Sequence, residues 1–324
     1  MGRGSLGRAE PLEVASRVKG DMMQGLRVYL QLMRFPAVFT AMADVFLGFL
    51  LTHRELAPAS TFGLLLAASS CLYLSGMVLN DVFDRRIDAV ERPGRPIPSG
   101  RVSVKSAAAL GAALIAAGIG FAAFAGESSL KIALSLAAAI LLYDGLLKNT
   151  AIGPVAMGAC RFLNVMLGSS ATFFVWATPQ LYVAPALGLY IAGVTWFSRG
   201  EAGRSGRRSL SGAAAVINVG LAGLALLFAI RPGEARWPGS DEPDPTIVMV
   251  LFGIAALMIN RRVRAAILDP TAARVQHTVK GCLLSLILLD ATVVFYHTGR
   301  ADLGLMIAAL AVPSWLLSRW LYVT

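Results

Sequence analysis

The sequence predicts an all-α, polytopic membrane protein, a bundle of nine or ten transmembrane helices. Three observations carry that expectation. Hydrophobic residues make up 56% of the 324 residues and charged residues only 15%, outside the usual balance of a soluble domain. The apolar residues fall in stretches close to the ~20 residues that a helix needs to cross a bilayer. The basic residues concentrate in alternate connections, the pattern that orients membrane proteins with those connections in the cytoplasm.

Taken in order, residues 1–27 form a polar, basic arm with Arg3, Arg8, Arg17, Lys19 and Arg27. It lacks the apolar core of a signal peptide. One membrane domain, 28–324, follows. Its expected spans are 28–52, 60–82, 105–125, 129–147, 152–174, 180–198, 209–231, 246–260, 279–297 and 302–321. The last is interrupted by Pro313, so nine spans is the alternative count. Ala, Gly and Ser recur inside the spans, as expected where membrane helices approach closely. The connections after odd-numbered spans are short and poor in basic residues, apart from Pro232 to Pro245. Those after even-numbered spans hold Arg85, Arg86, Arg92, Arg95, Arg101, Lys105, Lys148, Arg199, Arg204, Arg207, Arg208, Arg261, Arg262 and Arg264. We therefore expect a multi-pass protein of a bacterial inner membrane with a cytoplasmic N-terminus.

The net charge of +10 serves that orientation and contact with anionic membrane lipids. No interleaving of basic and aromatic residues points to nucleic acid. Cys71, Cys160 and Cys282 each sit in an apolar run without metal-ligand spacing, which favours plain packing.

Chemistry is concentrated in residues 80–101, where an apolar run ends in Asn80-Asp81-Val-Phe-Asp84-Arg85-Arg86-Ile-Asp88 and continues into an Arg- and Pro-rich stretch. On a continuous helix Asn80, Asp81, Asp84 and Asp88 fall at roughly 0, 100, 40 and 80°, all within one arc. Carboxylates sharing a face are mutually destabilising without a cation, and an all-oxygen set suits Mg2+. Proline at 93 should end the helix at Arg92. Arg92, Arg95 and Arg101 then follow in a stiffened loop suited to phosphate. A plainer alternative is a solvated helix end held by Asp81–Arg85 and Asp88–Arg92 pairs.

Asn-Asp-x-x-Asp-x-x-x-Asp followed by Arg-Pro-x-Arg-Pro-x-x-Ser-Gly resembles the first aspartate motif of the UbiA superfamily of intramembrane prenyltransferases. Leu32-Met-Arg34-Phe-Pro36 with Gly48, and Tyr143 with Lys148, Pro154 and Gly158, are similar to further segments of that family. The matches cover roughly residues 28 to 210 in order. The resemblance implies a UbiA-type bundle around a central cavity, with an isoprenoid diphosphate held through Mg2+ at the cytoplasmic mouth. It also implies transfer of the prenyl group to an aromatic or lipid acceptor. Asn80, Asp81, Asp84 and Asp88 would be the metal set, with Asp84, Lys148 and Tyr143 catalytic. Arg34, Arg92, Arg95, Arg199, Glu201 and Arg204 would contact substrate.

Two intramembrane polar residues, Arg161 and Asn164, lie three apart in 152–174. A charge at that depth lines a cavity or pairs with a carboxylate. We read Arg161 as lining the cavity, with Asp144 or Asp290 as its candidate partner. His277 and His297 sit at span ends and are expected to be interfacial.

The pattern breaks at 198–208, where the family carries a second aspartate motif. Here Ser198-Arg199-Gly-Glu201-Ala-Gly-Arg204-Ser-Gly-Arg207-Arg208 offers one carboxylate among four arginines. Either the arginines neutralise phosphate in place of a second metal, or the cavity binds and moves an amphipathic metabolite without catalysis. The altered motif resembles UbiA-like proteins encoded in bacterial ebo clusters, which keeps a non-catalytic binder or transporter as the alternative.

Overall fold

Proline at 36 has no amide hydrogen and disfavours helix in the residue before it, so the first span cannot run straight. In the computed structural model, which describes residues 23–172, 178–199, 206–230 and 244–321, α1 (Met23–Leu32) meets α2 (Val38–Leu50) at a bend of 53°. The turn between them is a short 3-10 helix, Phe35–Ala37, preceded by Arg34 in the left-handed region at φ 46° and ψ 44°. A non-glycine residue held there is strained by roughly 1 kcal/mol or more.

The remaining helices are α3 (Ala59–Phe83), α4 (Arg85–Glu91), α5 (Val104–Ala125), α6 (Glu127–Leu142), α7 (Gly153–Gly168), α8 (Thr178–Ser198), α9 (Arg207–Ile230), α10 (Pro245–Leu268), α11 (Ala272–Thr298), α12 (Ala301–Ala309) and α13 (Ala311–Leu321). Among the described residues there is no strand. Among the described residues eight helices are long and apolar enough to cross a membrane, and the bent α1–α2 pair makes nine. The span expected at 152–174 is shorter: α7 has 16 residues and ends at Gly168. The uncertain last span is helical from Ala301 to Leu321. Pro313 falls in the first turn of α13, where a missing amide hydrogen costs little. The 180–198 span carries Pro185 inside α8.

The end of α13 docks on α1. Gln31 Nε2 donates to Leu321 O at 2.8 Å and Arg27 to Trp320 O at 3.1 Å, while Ser314 Oγ donates to Pro36 O at 2.8 Å. Both ends of the described chain therefore lie on one face of the bundle.

Helix α2 sits at the centre, packed on α3, α7 and α11. Its approach to α7 depends on Gly48, where a Cβ would lie 2.9 Å from Ser169 N and 3.0 Å from Gly168 Cα. This close crossing of small residues is the membrane-helix packing the composition pointed to. On the outside, Val155, Val219, Leu257, Leu305 and similar apolar side chains are exposed, as a lipid-facing surface requires.

Candidate active site

The acidic segment spans the junction of two helices. Helix α3 ends at Phe83, Asp84 lies at the junction, and α4 runs only to Glu91, with Arg92 leaving the helix at φ −143° and ψ 60° ahead of Pro93. The junction keeps the helical hydrogen bonding, Asp84 N donating to Asn80 O and Asp88 N to Asp84 O, each at 2.9 Å, and Asp81 and Asp88 share Arg95 as expected of residues on one face. Asn80 and Asp81 remain on the last turn of α3, and Asp88 reaches back from α4. The loop from Arg92 to Ser103 is folded on itself. Ser99 Oγ donates to Arg95 O at 2.7 Å and Arg101 to Gly94 O at 2.6 Å, while Gly100 adopts φ 74°.

Opposite this segment, the end of α6 widens into one π turn, Tyr143–Leu147, closed by Lys148 N donating to Tyr143 O at 2.8 Å. Such turns are frequent at functional sites because they redirect side chains. Here the turn places Asp144 against Asn80, whose Nδ2 donates to Asp144 Oδ1 at 2.8 Å, and it brings Lys148 onto Asp84.

Asp81, Asp84 and Asp88 are each matched by a cation. Asp81 Oδ1 accepts from Arg34 at 2.9 Å and from Arg95 at 3.2 Å. Asp88 Oδ2 accepts from Arg95 at 2.5 Å. Asp84 Oδ2 accepts from Lys148 Nζ. Arg34 also reaches Asn80 Oδ1 at 3.4 Å, so the strained backbone at the α1–α2 bend aims this arginine into the cluster. The Asp81 and Asp88 side chains are only 4% and 5% exposed, whereas Asp84 and Lys148 retain 17% and 25%. Arg85, expected as a possible partner of Asp81, donates to Val82 O at 3.0 Å instead. Arg92 is exposed at the end of α4.

Beside the cluster lies a pocket of about 340 Å³ lined by Tyr143, Lys148, Asn149, Thr195, Ser198 and Arg199. Arg199 is fixed at its rim by donating to Lys148 O at 2.7 Å and Thr150 O at 2.6 Å. The described lining offers two cations, hydroxyls and an amide but no carboxylate, a donor set suited to an anion. Glu201 and Arg204 lie outside the described residues.

No three carboxylates, histidines or cysteines among the described residues already converge as a metal site. The donor set still fits a hard divalent ion. Asn80 Oδ1 and the carboxylates of Asp81, Asp84 and Asp88 are hard oxygen donors on neighbouring turns, held now by Arg34, Arg95 and Lys148, cations that a metal could replace.

Arg161 and Asn164 go elsewhere. The structure turns both into the interface between α7 and α2, whereas the sequence pointed to a cavity wall. Arg161 Nε lies 2.7 Å from Asp44 Oδ2, and its terminal nitrogen donates to Thr40 O at 2.7 Å. The partner is thus Asp44, and neither Asp144 nor Asp290 takes that place. At Nε the contact is an ion pair without a hydrogen bond's alignment. Asn164 Nδ2 donates to Asp44 Oδ2 at 2.8 Å and to Ala41 O at 3.0 Å, while Ser69 Oγ donates to Asn164 Oδ1 at 2.6 Å. Asp290 is fully buried within electrostatic reach of both Asp44 and Arg161. Asp44 went unnoticed although it is a lone carboxylate inside the apolar Ala41–Leu51 run, the same signal that singled out Arg161. His297, expected at the interface, is buried at the end of α11.

With this geometry in place, the comparisons with known proteins decide the family. Residues 41–269 match the UbiA prenyltransferase family. The chain belongs to that family. Digeranylgeranylglyceryl phosphate synthase of Saccharolobus solfataricus is 34% identical over 151 residues, which cover 46% of this chain and 53% of that protein. The chain spans about half the length of the curated relatives it matches. A solved digeranylgeranylglyceryl phosphate synthase structure aligns with 86% of this chain and all of its own, at 19% identity and a TM-score of 0.64. A UbiA homologue from Archaeoglobus fulgidus bound to DMAPP and Mg2+ aligns with 80% of this chain and 98% of its own, at 15% identity and a TM-score of 0.57. At these identities the structural likeness is one of fold, the UbiA-type membrane bundle.

Proposed function

We propose that this protein transfers a prenyl group from an isoprenoid diphosphate to a lipid acceptor, in a bilayer whose cytoplasmic side carries its N-terminus and basic loops. The observation that carries this reading is the cluster of Asp81, Asp84 and Asp88 with Arg34, Arg95 and Lys148, set next to an anion-suited pocket. The relatives are named for a glyceryl phosphate product, which favours a lipid over an aromatic acceptor. A family member of the same fold bound to DMAPP and Mg2+ supports an allylic diphosphate as donor.

Asn80, Asp84 and Asp88 would hold the magnesium ion, with Asp81 in support. When bound, the ion supplies Lewis-acid neutralisation of the departing diphosphate. The protein's own groups do the rest. Lys148, Arg95, Arg92 and Arg199 donate to phosphate oxygens, and Arg204 adds charge from the basic segment. Together they stabilise the negative charge that grows as the allylic C–O bond breaks and its electron pair leaves with diphosphate. Tyr143 lines the pocket with its ring, shielding the electron-poor carbon from water. The acceptor oxygen then bonds to that carbon and its proton is lost.

The decisive experiment uses purified protein in lipid nanodiscs with Mg2+, prenyl diphosphates of graded length, and lipid or aromatic acceptors, scored for diphosphate release. Acceptor-dependent release with at least one donor is expected. A second reading, a non-catalytic binder or transporter of an amphipathic metabolite, is favoured by the single carboxylate, Glu201, in 198–208. Retained lipid binding without turnover of any donor would establish it and sink the enzyme reading.

A further inference from the structure

At the mouth Asp81 and Asp88 are paired with Arg34 and Arg95, and Asp84 with Lys148, so each of these three carboxylates already has a cation. A divalent ion arriving alone would have to displace some of these cations and lie beside them, adding two positive charges to a partly buried site whose carboxylates are already paired. Repulsion at that range is costly wherever water is scarce. Displaced side chains would also lose their partners, and an unpaired buried charge is expensive.

A diphosphate changes the balance because it offers oxygens to the cations that let go. The geometry favours such an exchange. The loop backbone at Arg95 is fixed by Ser99, whose amide donates to Arg95 O at 3.0 Å and whose hydroxyl donates to it at 2.7 Å. The backbone of Lys148 is pinned by its own amide's bond to Tyr143 O and by Arg199 on its carbonyl. Both residues can therefore turn at the side chain while the chain stays in place. Lys148 already borders the carboxylates on one side and the pocket on the other, so a change of rotamer carries its charge from Asp84 to a phosphate.

Building on the proposed use of an isoprenoid diphosphate, we propose that the divalent ion and the diphosphate enter this site only together, because Arg95 and Lys148 occupy the metal's carboxylates until a diphosphate draws them away. Arg95 and Lys148 thus act as internal counter-ions that close the site to metal in the absence of substrate. Only metal delivered with a diphosphate is then retained.

The test is Mn2+ binding to the full-length protein in nanodiscs, read by electron paramagnetic resonance of the free ion. Inorganic diphosphate is the second probe, with its solution chelation of Mn2+ subtracted. In the wild type, diphosphate should tighten Mn2+ binding at least about tenfold, the lower range of site-to-site coupling. Arg95→Gln should tighten binding of Mn2+ alone by about tenfold and shrink the effect of diphosphate. Equal Mn2+ affinity with and without diphosphate in the wild type overturns co-entry, as does an Arg95→Gln protein whose Mn2+ affinity is unchanged. If Arg95→Gln does not fold, Lys148→Met serves as the second variant with the same expectations. Failure of both probes to bind any protein sinks the prenyl-diphosphate reading as well. Diphosphate release alongside uncoupled Mn2+ binding sinks only the co-entry.

Discussion

Replacing Arg161 by Met tests the division of labour between the mouth and the interior. The side chain is similar in length and apolar, so the change removes charge and hydrogen bonds more than volume. Asp44 is fully buried and would keep Asn164 Nδ2 at 2.8 Å as its donor. Thr40 O would lose the donor it now has at 2.7 Å. Breaking a buried ion pair by removing one partner costs about 3–5 kcal/mol. For a chain of this size that lowers the melting temperature by about 5 °C or more. Thermal unfolding of the detergent-solubilised protein, followed by the monodisperse peak remaining after heating, measures the shift. Adding Asp44→Asn to Arg161→Met should recover at least half of the loss, because the surviving carboxylate charge is then removed. Diphosphate binding by the folded fraction should stay at the wild-type level. A melting temperature within about 1 °C of wild type would refute the claim that the pair holds α7 to α2. Lost diphosphate binding with normal stability would return Arg161 to the substrate site.

Other outcomes follow from the same geometry. Asp84→Asn should abolish Mg2+-dependent diphosphate binding by at least about tenfold, measured by calorimetry with a non-reactive prenyl diphosphate analogue. Lys148→Met should lower kcat by about 10²-fold or more, the size typical of losing one leaving-group donor, with a smaller change in KM. Gly48→Val should prevent a stable fold, because its Cβ would lie 2.9 Å from Ser169 N. Gly63→Ala, with nothing within 4 Å, should be neutral in the same heating assay. Glu201→Gln should cost less than about tenfold in kcat if Arg199 and its neighbours neutralise the phosphate, and far more if Glu201 holds a second metal ion.

Much of the fold was legible because a bilayer leaves so few choices. An apolar run near 20 residues has to be a helix, and the basic loops fix which runs are joined on which side. Span ends were less legible. Helix α7 stops at Gly168, six residues short of its expected limit, since an apolar run does not mark where the helix within it ends. The acidic segment was found from its spacing, and the helical bonds of Asp84 and Asp88 carry that spacing across the α3–α4 junction. What the spacing does not give is the identity of the partners. The partners Arg34, Asp144 and Lys148 come from 46 to 64 residues away in sequence. Their meeting depends on the bend at Pro36 and the π turn at Tyr143. The first has a readable cause. The second has no signature in Tyr143-Asp-Gly-Leu-Leu147.

Charged residues in this protein sit in two layers, and the difference between them is the freedom of the cation. Ser69 and Asn80 are eleven positions apart on α3, about 16 Å along the helix, and they mark the inner and outer polar layers. In the inner layer Arg161 is 9% exposed and divided between Asp44 and the backbone carbonyl of Thr40. It cannot leave without stranding both, so its chemistry is spent on holding helices together. In the outer layer Lys148 keeps 25% exposure and touches one carboxylate beside an open pocket. Its departure strands only Asp84, which a divalent ion can then satisfy. The same pairing of carboxylate and cation is therefore a lock at depth and an exchangeable cover at the mouth, and sequence alone, which places Arg161 at depth, does not name Asp44 as the carboxylate it holds.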